Sequence, residues 1–79
     1  MNLGQLEFVH EVAKTGNISA ASKKLHVSQS AISQSIANLE AELGVKIFHR
    51  TRTGVYPTTK GSKIVELIAD ILAKVQELK

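Results

Sequence analysis

Four hydrogen-bonding side chains of short or medium length lie close together near the middle of the chain: Gln29, Ser30, Ser33 and Gln34. On a helix they would crowd one side, because residues four apart are neighbours on a helix surface. A glutamine amide can pair with an adenine edge, and a serine hydroxyl can bond a base or a phosphate oxygen. The pattern therefore predicts a helix face that reads the major groove of DNA. An ordinary polar, solvated face is the alternative when these residues are considered alone.

Basic residues are concentrated in two stretches without any acid. Residues 12–39 contain three lysines and residues 45–63 contain five basic residues, in a chain whose net charge is +3. Arg50, Arg52 and Thr53 lie in a predicted hairpin, where they can hold a phosphate or enter a minor groove. This distribution suggests a polyanion-facing side, although an ordinary solvated surface explains the charges alone equally well. A solvated loop explains Arg52 equally well.

Arg50 has a second interpretation that does not involve DNA. It follows the predicted helix that carries the polar face, and Glu40 and Glu42 lie near the end of that helix. An arginine this close to two carboxylates can form an ion pair instead of binding a phosphate. We favour the ion pair slightly over the phosphate contact.

The helix that would carry the polar face is predicted over residues 29–43. Ser28 is a good N-cap, and Gly44 is suited to end the helix. The polar face includes Asn38 and, at the cap, Ser28. The apolar residues step by four, three and four, and therefore share the opposite face: Ile32, Ile36, Leu39 and Leu43.

Two shorter helices are predicted before it. Asn2 and Gln5 form a capping box for the first, and Thr15-Gly16-Asn17 ends it. The second covers about 18–25, so that a helix-turn-helix spans about 18–37. In the first helix the apolar stripe is formed by Leu6, Val9 and Ala13, with Phe8 and Val12 beside them.

After Gly44 the pattern predicts a hairpin and one more helix. Two short strands, 45–50 and 54–56, form a wing over about 46–57, and Pro57 ends the second strand because proline cannot continue a ladder. Thr58 then caps a helix that runs to the C-terminus. The expected fold is mainly α: a winged helix-turn-helix over 1–58, with three helices and a two-stranded hairpin, followed by a helix over 59–79.

The last helix carries a heptad-like apolar seam that suggests a homodimer. Its members step by four, three, four and three residues: Ile64, Ile68, Ile71, Val75 and Leu78. Domain contact would cover only the first turns, so the seam favours a second copy of the chain. A two-fold dimer reads a two-fold DNA site.

Other kinds of function find little support in the sequence. Cysteine is absent, and His10, His26 and His49 lack metal-ligand spacing. There is no phosphate-cradling glycine loop and no nucleophile–base arrangement, so we expect no enzyme activity, cofactor or metal. No apolar run approaches the roughly 20 residues that span a bilayer, and no signal peptide is evident. A reducing cytoplasm is the expected location.

Several ordered motifs resemble one family. The run 17–36, NISAASKKLHVSQSAISQSI, resembles the helix-turn-helix of LysR-type transcriptional regulators. Residues 39–44 match the family's "LE…LG" signature, and residues 47–50 look like its "LFxR" strand with isoleucine for leucine. Residues 58–61 match a threonine–x–x–glycine step into a linker helix, with Lys60 where alanine is frequent. Molybdate-responsive regulators share a similar N-terminal domain.

The resemblance implies a bacterial, sequence-specific DNA-binding domain. It assigns Gln29, Ser30, Ser33 and Gln34 to DNA contact, residues 50–56 to the wing, and the last helix to dimerisation on an interrupted inverted repeat. Ser30 replaces a frequent proline, so the local contact can differ. Family members continue into an effector-binding domain that takes the small-molecule inducer; that domain is absent here, and we expect a fragment. The alternative is a winged helix that only assembles proteins, which should expose apolar anchors.

Overall fold

Four side-chain caps determine where the helices begin. In the computed structural model, which describes residues 1–79, the side chains of Asn2, Asn17, Ser28 and Thr58 each accept a backbone N–H of the first helical turn. These bonds satisfy donors that have no partner within the helix. In chain order the elements are α1 Leu3–Thr15, α2 Ile18–Leu25, α3 Gln29–Leu43, β1 Phe48–Thr51, β2 Gly54–Pro57 and α4 Thr59–Leu78.

The predicted helix boundaries are confirmed by this arrangement. The capping box at Asn2 and Gln5 is present, and both Gly16 and Gly44 adopt the left-handed conformation as C-caps. His26 ends α2 in the same conformation with φ 58°, although it is not a glycine. The turn of the helix-turn-helix thus depends on a residue type that tolerates this region better than most.

The core lies where α1, α3, the hairpin and α4 meet. Eleven hydrophobic residues are buried there, among them Val9 and Val12 of α1 and three residues of α3. Ala13, which we placed in the α1 stripe, is only partly buried, and Val12 takes its place. Leu43 was placed on the buried face of α3, but it is 37% exposed because the last turn of α3 extends past the core.

The hairpin differs from its prediction at both ends. β1 begins at Phe48 rather than at residue 45. The Glu40 carboxylate accepts the backbone N–H groups of Ile47 and Phe48, so this segment is bonded to α3 before pairing with β2 begins. β2 includes Pro57, which pairs with Phe48. Val55 directs its N–H away from β1, to Gly16. Because N–H directions alternate along a strand, Pro57 faces the same way and loses no ladder bond.

The first half of α4 is part of the domain core. Ile68 is 3% exposed, and Ile64 is partly buried against the same core. Ile68 therefore packs mainly on the core of its own domain, and its placement in the dimer seam stays a prediction. The α4 face that remains open holds Leu67, Ile71 and Leu78, which are 58%, 42% and 87% exposed.

Candidate nucleic-acid interface

The outer face of α3 is polar, exposed and free of charge. Its inner face buries Ile32, Ile36 and Leu39, which fixes the helix on the core. The side chains of Gln29, Ser30, Gln34 and Asn38 are consequently turned outward, and all four are exposed. No carboxylate belongs to this set, so the face offers hydrogen bonds without repelling phosphates.

Two pairs of these polar groups are already bonded to each other. The Ser28 hydroxyl accepts the Ala31 N–H as the N-cap and lies 3.2 Å from the Ser30 hydroxyl. The Gln34 amide donates to the Asn38 side-chain oxygen at 2.9 Å. An i, i+4 pair of this kind holds two long side chains in one conformation and lowers the entropy lost when they contact a ligand.

The tip of the hairpin is organised by hydroxyl groups. The Thr51 hydroxyl lies 3.1 Å from the Thr53 hydroxyl and also donates to the Gly54 carbonyl, while the Thr53 hydroxyl lies 3.1 Å from that of Tyr56. These bonds occupy Thr53 within the hairpin. Arg52 makes no side-chain hydrogen bond, is exposed at the tip, and is the group most available to a phosphate or a minor groove.

The start of β2, next to the hairpin tip, is hydrogen-bonded to the end of α1. The Val55 N–H donates to the Gly16 carbonyl at 3.0 Å. A Cβ atom at Gly54 would lie 2.7 Å from that same carbonyl oxygen, and φ at Gly54 is +154°. Only glycine allows this approach without displacement of the backbone. The hairpin therefore has a fixed position relative to the three helices.

Arg50 does not form the ion pair with Glu40 or Glu42 that we favoured. Glu40 is 3.8 Å from Lys46 and caps the start of β1, and Glu42 bonds the terminal ammonium group. Arg50 instead donates from Nη2 to the Ser33 hydroxyl at 3.1 Å, across the gap between β1 and α3. The prediction failed because Glu40 is already occupied by backbone N–H groups of the β1 segment.

A polar cleft of about 330 Å³ lies between α3, the start of α2 and the hairpin. It brings together five of the predicted residues, namely Gln29, Ser33, Arg50, Arg52 and Thr53. No ion pair involves either arginine. Two guanidinium groups and no carboxylate line this cleft, so it is suited to an anion.

One lysine of the first basic stretch pairs with a buried carboxylate. Lys24 lies 3.1 Å from Glu11, a carboxylate of α1 that is buried. The hydrogen bond with Glu11 and the attraction of its charge raise the pKa of Lys24. Lys24 thus ties α2 to α1, and Lys23, which forms no ion pair, remains the freer charge of the two.

The comparisons with known proteins identify the family. The family model described as a bacterial regulatory helix-turn-helix protein of the lysR family matches residues 3–62. The chain belongs to the LysR family. A curated relative, the probable HTH-type transcriptional regulator LrrA of Synechococcus elongatus, is 46% identical over 72 residues, which cover 91% of this chain and 24% of that protein.

Solved LysR-family structures match almost the whole chain. The DNA-binding domain of CbnR in complex with DNA is 38% identical with a TM-score of 0.92, over 98% of this chain and 88% of that one. The DNA-binding domain of BenM in complex with benA site 1 DNA is 28% identical with a TM-score of 0.93, over 99% and 88%. The fold is thus the predicted winged helix-turn-helix followed by a helix. The chain spans about a quarter of the length of the curated relatives it matches.

Not every residue at this LysR-family interface was foreseen. Asn17 and Ser19, at the start of α2, line the polar cleft but were not among the predicted contacts. An N-cap asparagine followed by serine is a helix-start signal, and such ends face anions in other proteins. Ser30, Gln34 and Asn38 lie outside the cleft, along the exposed face of α3.

No cluster of three or more His, Asp or Glu side chains is suitably placed for a metal ion. None of the four helices has the length and apolar character needed to cross a bilayer.

Proposed function

We propose that this chain is the sequence-specific, double-stranded DNA-binding part of a LysR-type transcriptional regulator. The observation that carries the proposal is the acid-free cleft where the start of α3 meets the two wing arginines. Relatives with this fold have been solved bound to DNA. The proposed function is binding without catalysis, and the relatives' names describe transcriptional regulators.

In the proposed complex α3 enters the major groove and the wing follows the backbone. Gln29 and Gln34 have side chains long enough to pair bidentately with a base edge, whereas Ser30 can reach a base or a phosphate. Asn38, one turn further along, holds Gln34 by its hydrogen bond. Arg52 then extends from the hairpin tip to a phosphate or into the adjacent minor groove.

The α4 helix is proposed to pair with a second copy of the chain. At about 100° per residue, Leu67, Ile71 and Leu78 fall within an arc of about 40° on the open side of the helix. A continuous apolar groove extends this face onto Met1 and Leu43. The proposed interface keeps Ile71 and Leu78 of the predicted seam and adds Leu67. Ile64 and Ile68 also line this groove although they pack on the core, and Val75 is half-buried.

The proposed organisation is a binding unit followed by a dimerisation helix. We place the DNA-binding unit at 1–58 and the dimerisation helix at 59–79, with the qualification that Ile68 anchors the first half of α4 on the binding unit. The relatives are about four times longer than this chain. We propose that a small-molecule inducer acts on the remainder of such a protein and not on this part.

A selection from a random DNA pool tests the proposal. The chain is mixed with random duplexes at near-physiological salt, and the bound duplexes are amplified and sequenced. Enrichment of an interrupted inverted repeat is the expected result, because two α3 helices related by a two-fold axis read two half-sites. Enrichment of a single half-site would contradict the proposed dimer but would still support the reading of bases by α3. Binding without any motif, lost as salt rises, would refute sequence-specific recognition.

A further inference from the structure

One hydrogen bond joins the wing directly to the recognition helix. Arg50 of β1 donates from Nη2 to the Ser33 hydroxyl of α3, 17 residues away in sequence, at 3.1 Å. A guanidinium group has five N–H donors and no acceptor. The direction of this bond is therefore unambiguous: Ser33 must accept, and its own proton must point elsewhere.

The Ser33 proton has no acceptor within the protein. Three other hydroxyl groups on the helices donate back to a carbonyl three or four residues earlier, namely those of Thr15, Ser22 and Ser62. Such back-bonding is one of the two common states of a helical serine or threonine, and a hydroxyl that points to solvent is the other. Ser33 makes no bond of this kind, and its oxygen accepts from Arg50. The hydroxyl lines the polar cleft, where its proton is free to donate.

We propose that Arg50 presets the Ser33 hydroxyl as a hydrogen-bond donor toward DNA. Arg50 is then a positioning residue that tunes recognition through α3, in addition to any contact of its own. The inference rests on the proposed function and specifies the chemistry of its ligand: an acceptor atom of DNA. On a base edge these acceptors are N7 and O6 of guanine, N7 of adenine and O4 of thymine; the amino groups of cytosine and adenine are donors and cannot take this proton.

The loss of Arg50 gives Ser33 an alternative bond. Without the guanidinium group, the Ser33 hydroxyl can rotate and donate to the Gln29 carbonyl four residues earlier, as the Thr15 and Ser62 hydroxyl groups do. That rotation would remove the donor from the interface without any change in the fold. Substitution of Arg50 should consequently resemble substitution of Ser33, and the two effects should not be independent.

A double-mutant cycle tests this dependence. Fluorescence anisotropy measures the affinity of four proteins for the duplex most enriched from the random pool. The four proteins are wild type, Ser33→Ala, Arg50→Met and the double variant. Any direct phosphate contact of Arg50 is lost in both Ser33 backgrounds and cancels in the cycle. We expect the fold-loss of DNA affinity caused by Arg50→Met to be smaller by a factor of about three or more in the Ser33→Ala background. A coupling of this size lies within the range of interaction energies found for residues in contact. If the two losses multiply independently, the inference is wrong.

Arg52 supplies the matched control for charge and location. It lies on the same hairpin, carries the same charge and makes no bond with Ser33. Arg52→Met combined with Ser33→Ala should therefore give independent losses. Thermal unfolding of each variant verifies the fold, and Arg50→Ala replaces Arg50→Met in the cycle if the latter does not fold. Coupling of the same size with Arg52 would overturn the role of the Arg50 bond.

A repeated selection identifies the acceptor. If Ser33 donates to a base, Ser33→Ala and Arg50→Met should relax the preference at the same base pair. If it donates to a phosphate, the coupling persists while base preferences stay as in wild type. A wild-type chain that prefers no duplex would refute the proposed function itself, whereas specific binding with an additive cycle would refute only this inference.

Discussion

Of the five glycines, Gly61 lies closest to another part of the backbone. It is the third residue of α4, and a Cβ atom there would lie 1.9 Å from the Ile47 carbonyl oxygen and 2.7 Å from its carbon. Ordinary contact begins near 3.4 Å, so Gly61→Ala must displace backbone by about 1.5 Å. The same carbonyl accepts the Thr58 N–H at 2.8 Å, and the displacement would weaken that bond as well.

Helix propensity predicts that this substitution stabilises the protein, whereas packing predicts that it destabilises the protein. Alanine is favoured over glycine within a helix by up to about 1 kcal/mol. Overpacking against backbone costs about 1–3 kcal/mol, and loss of the Thr58 hydrogen bond costs about 1 kcal/mol more. We therefore expect Gly61→Ala to lower the free energy of unfolding by about 1–3 kcal/mol.

Urea unfolding followed by helical circular dichroism measures this change. The protein concentration is held constant, because the stability of a dimer depends on it. Lys63→Ala is the control: it lies two residues further along α4, it is exposed, and its effect should stay within about 0.5 kcal/mol. If Gly61→Ala were as stable as wild type or more so, the close approach of α4 to Ile47 would be disproved as the reason for glycine here.

Three further predictions concern DNA binding and assembly. In competition assays, Gln29→Ala and Gln34→Ala should each weaken the binding free energy by about 1–3 kcal/mol on the selected duplex and by little on random duplexes. If the binding free energy fell equally on both kinds of duplex, these residues would not read bases. Arg52→Ala should reduce the slope of log affinity against log salt by about one, and an unchanged slope would argue against a phosphate contact. The Ile71→Asp variant should sediment as a monomer. The control Ala73→Asp, at an exposed position elsewhere on α4, should sediment as a dimer. If the Ile71→Asp variant were still a dimer, the interface would lie elsewhere.

The helices could be predicted almost to the residue because their ends are determined locally. Asn2, Ser28 and Thr58 bond to N–H groups three residues away, so the cap and its donor lie within one short window of sequence. Gly16 and Gly44 end α1 and α3 for an equally local reason, since glycine adopts the left-handed conformation without strain. Local rules of this kind do not need the tertiary fold.

The errors concern contacts between elements distant in sequence. The start of β1 depends on the Glu40 carboxylate, which bonds to backbone seven and eight residues away. The partner of Arg50 could not be chosen among nearby polar groups without knowing that Glu40 was occupied. Periodicity placed Ile68 and Ile71 on one stripe of α4, but only the packing of α4 on the core separates them: the stripe is split between the core and the open face.

The wing is connected to each part of the domain that the proposed function requires. It bonds to the end of α1 through Gly16, to α3 through the Arg50–Ser33 hydrogen bond, and to the start of α4 through the Thr58–Ile47 hydrogen bond. The recognition helix, the wing and the first half of α4 therefore form one body. If α4 pairs two such bodies, the separation of the two α3 helices is determined by α4 packing and not by a flexible linker. An operator whose half-site spacing is changed by a few base pairs should then lose affinity even though every base contact is retained.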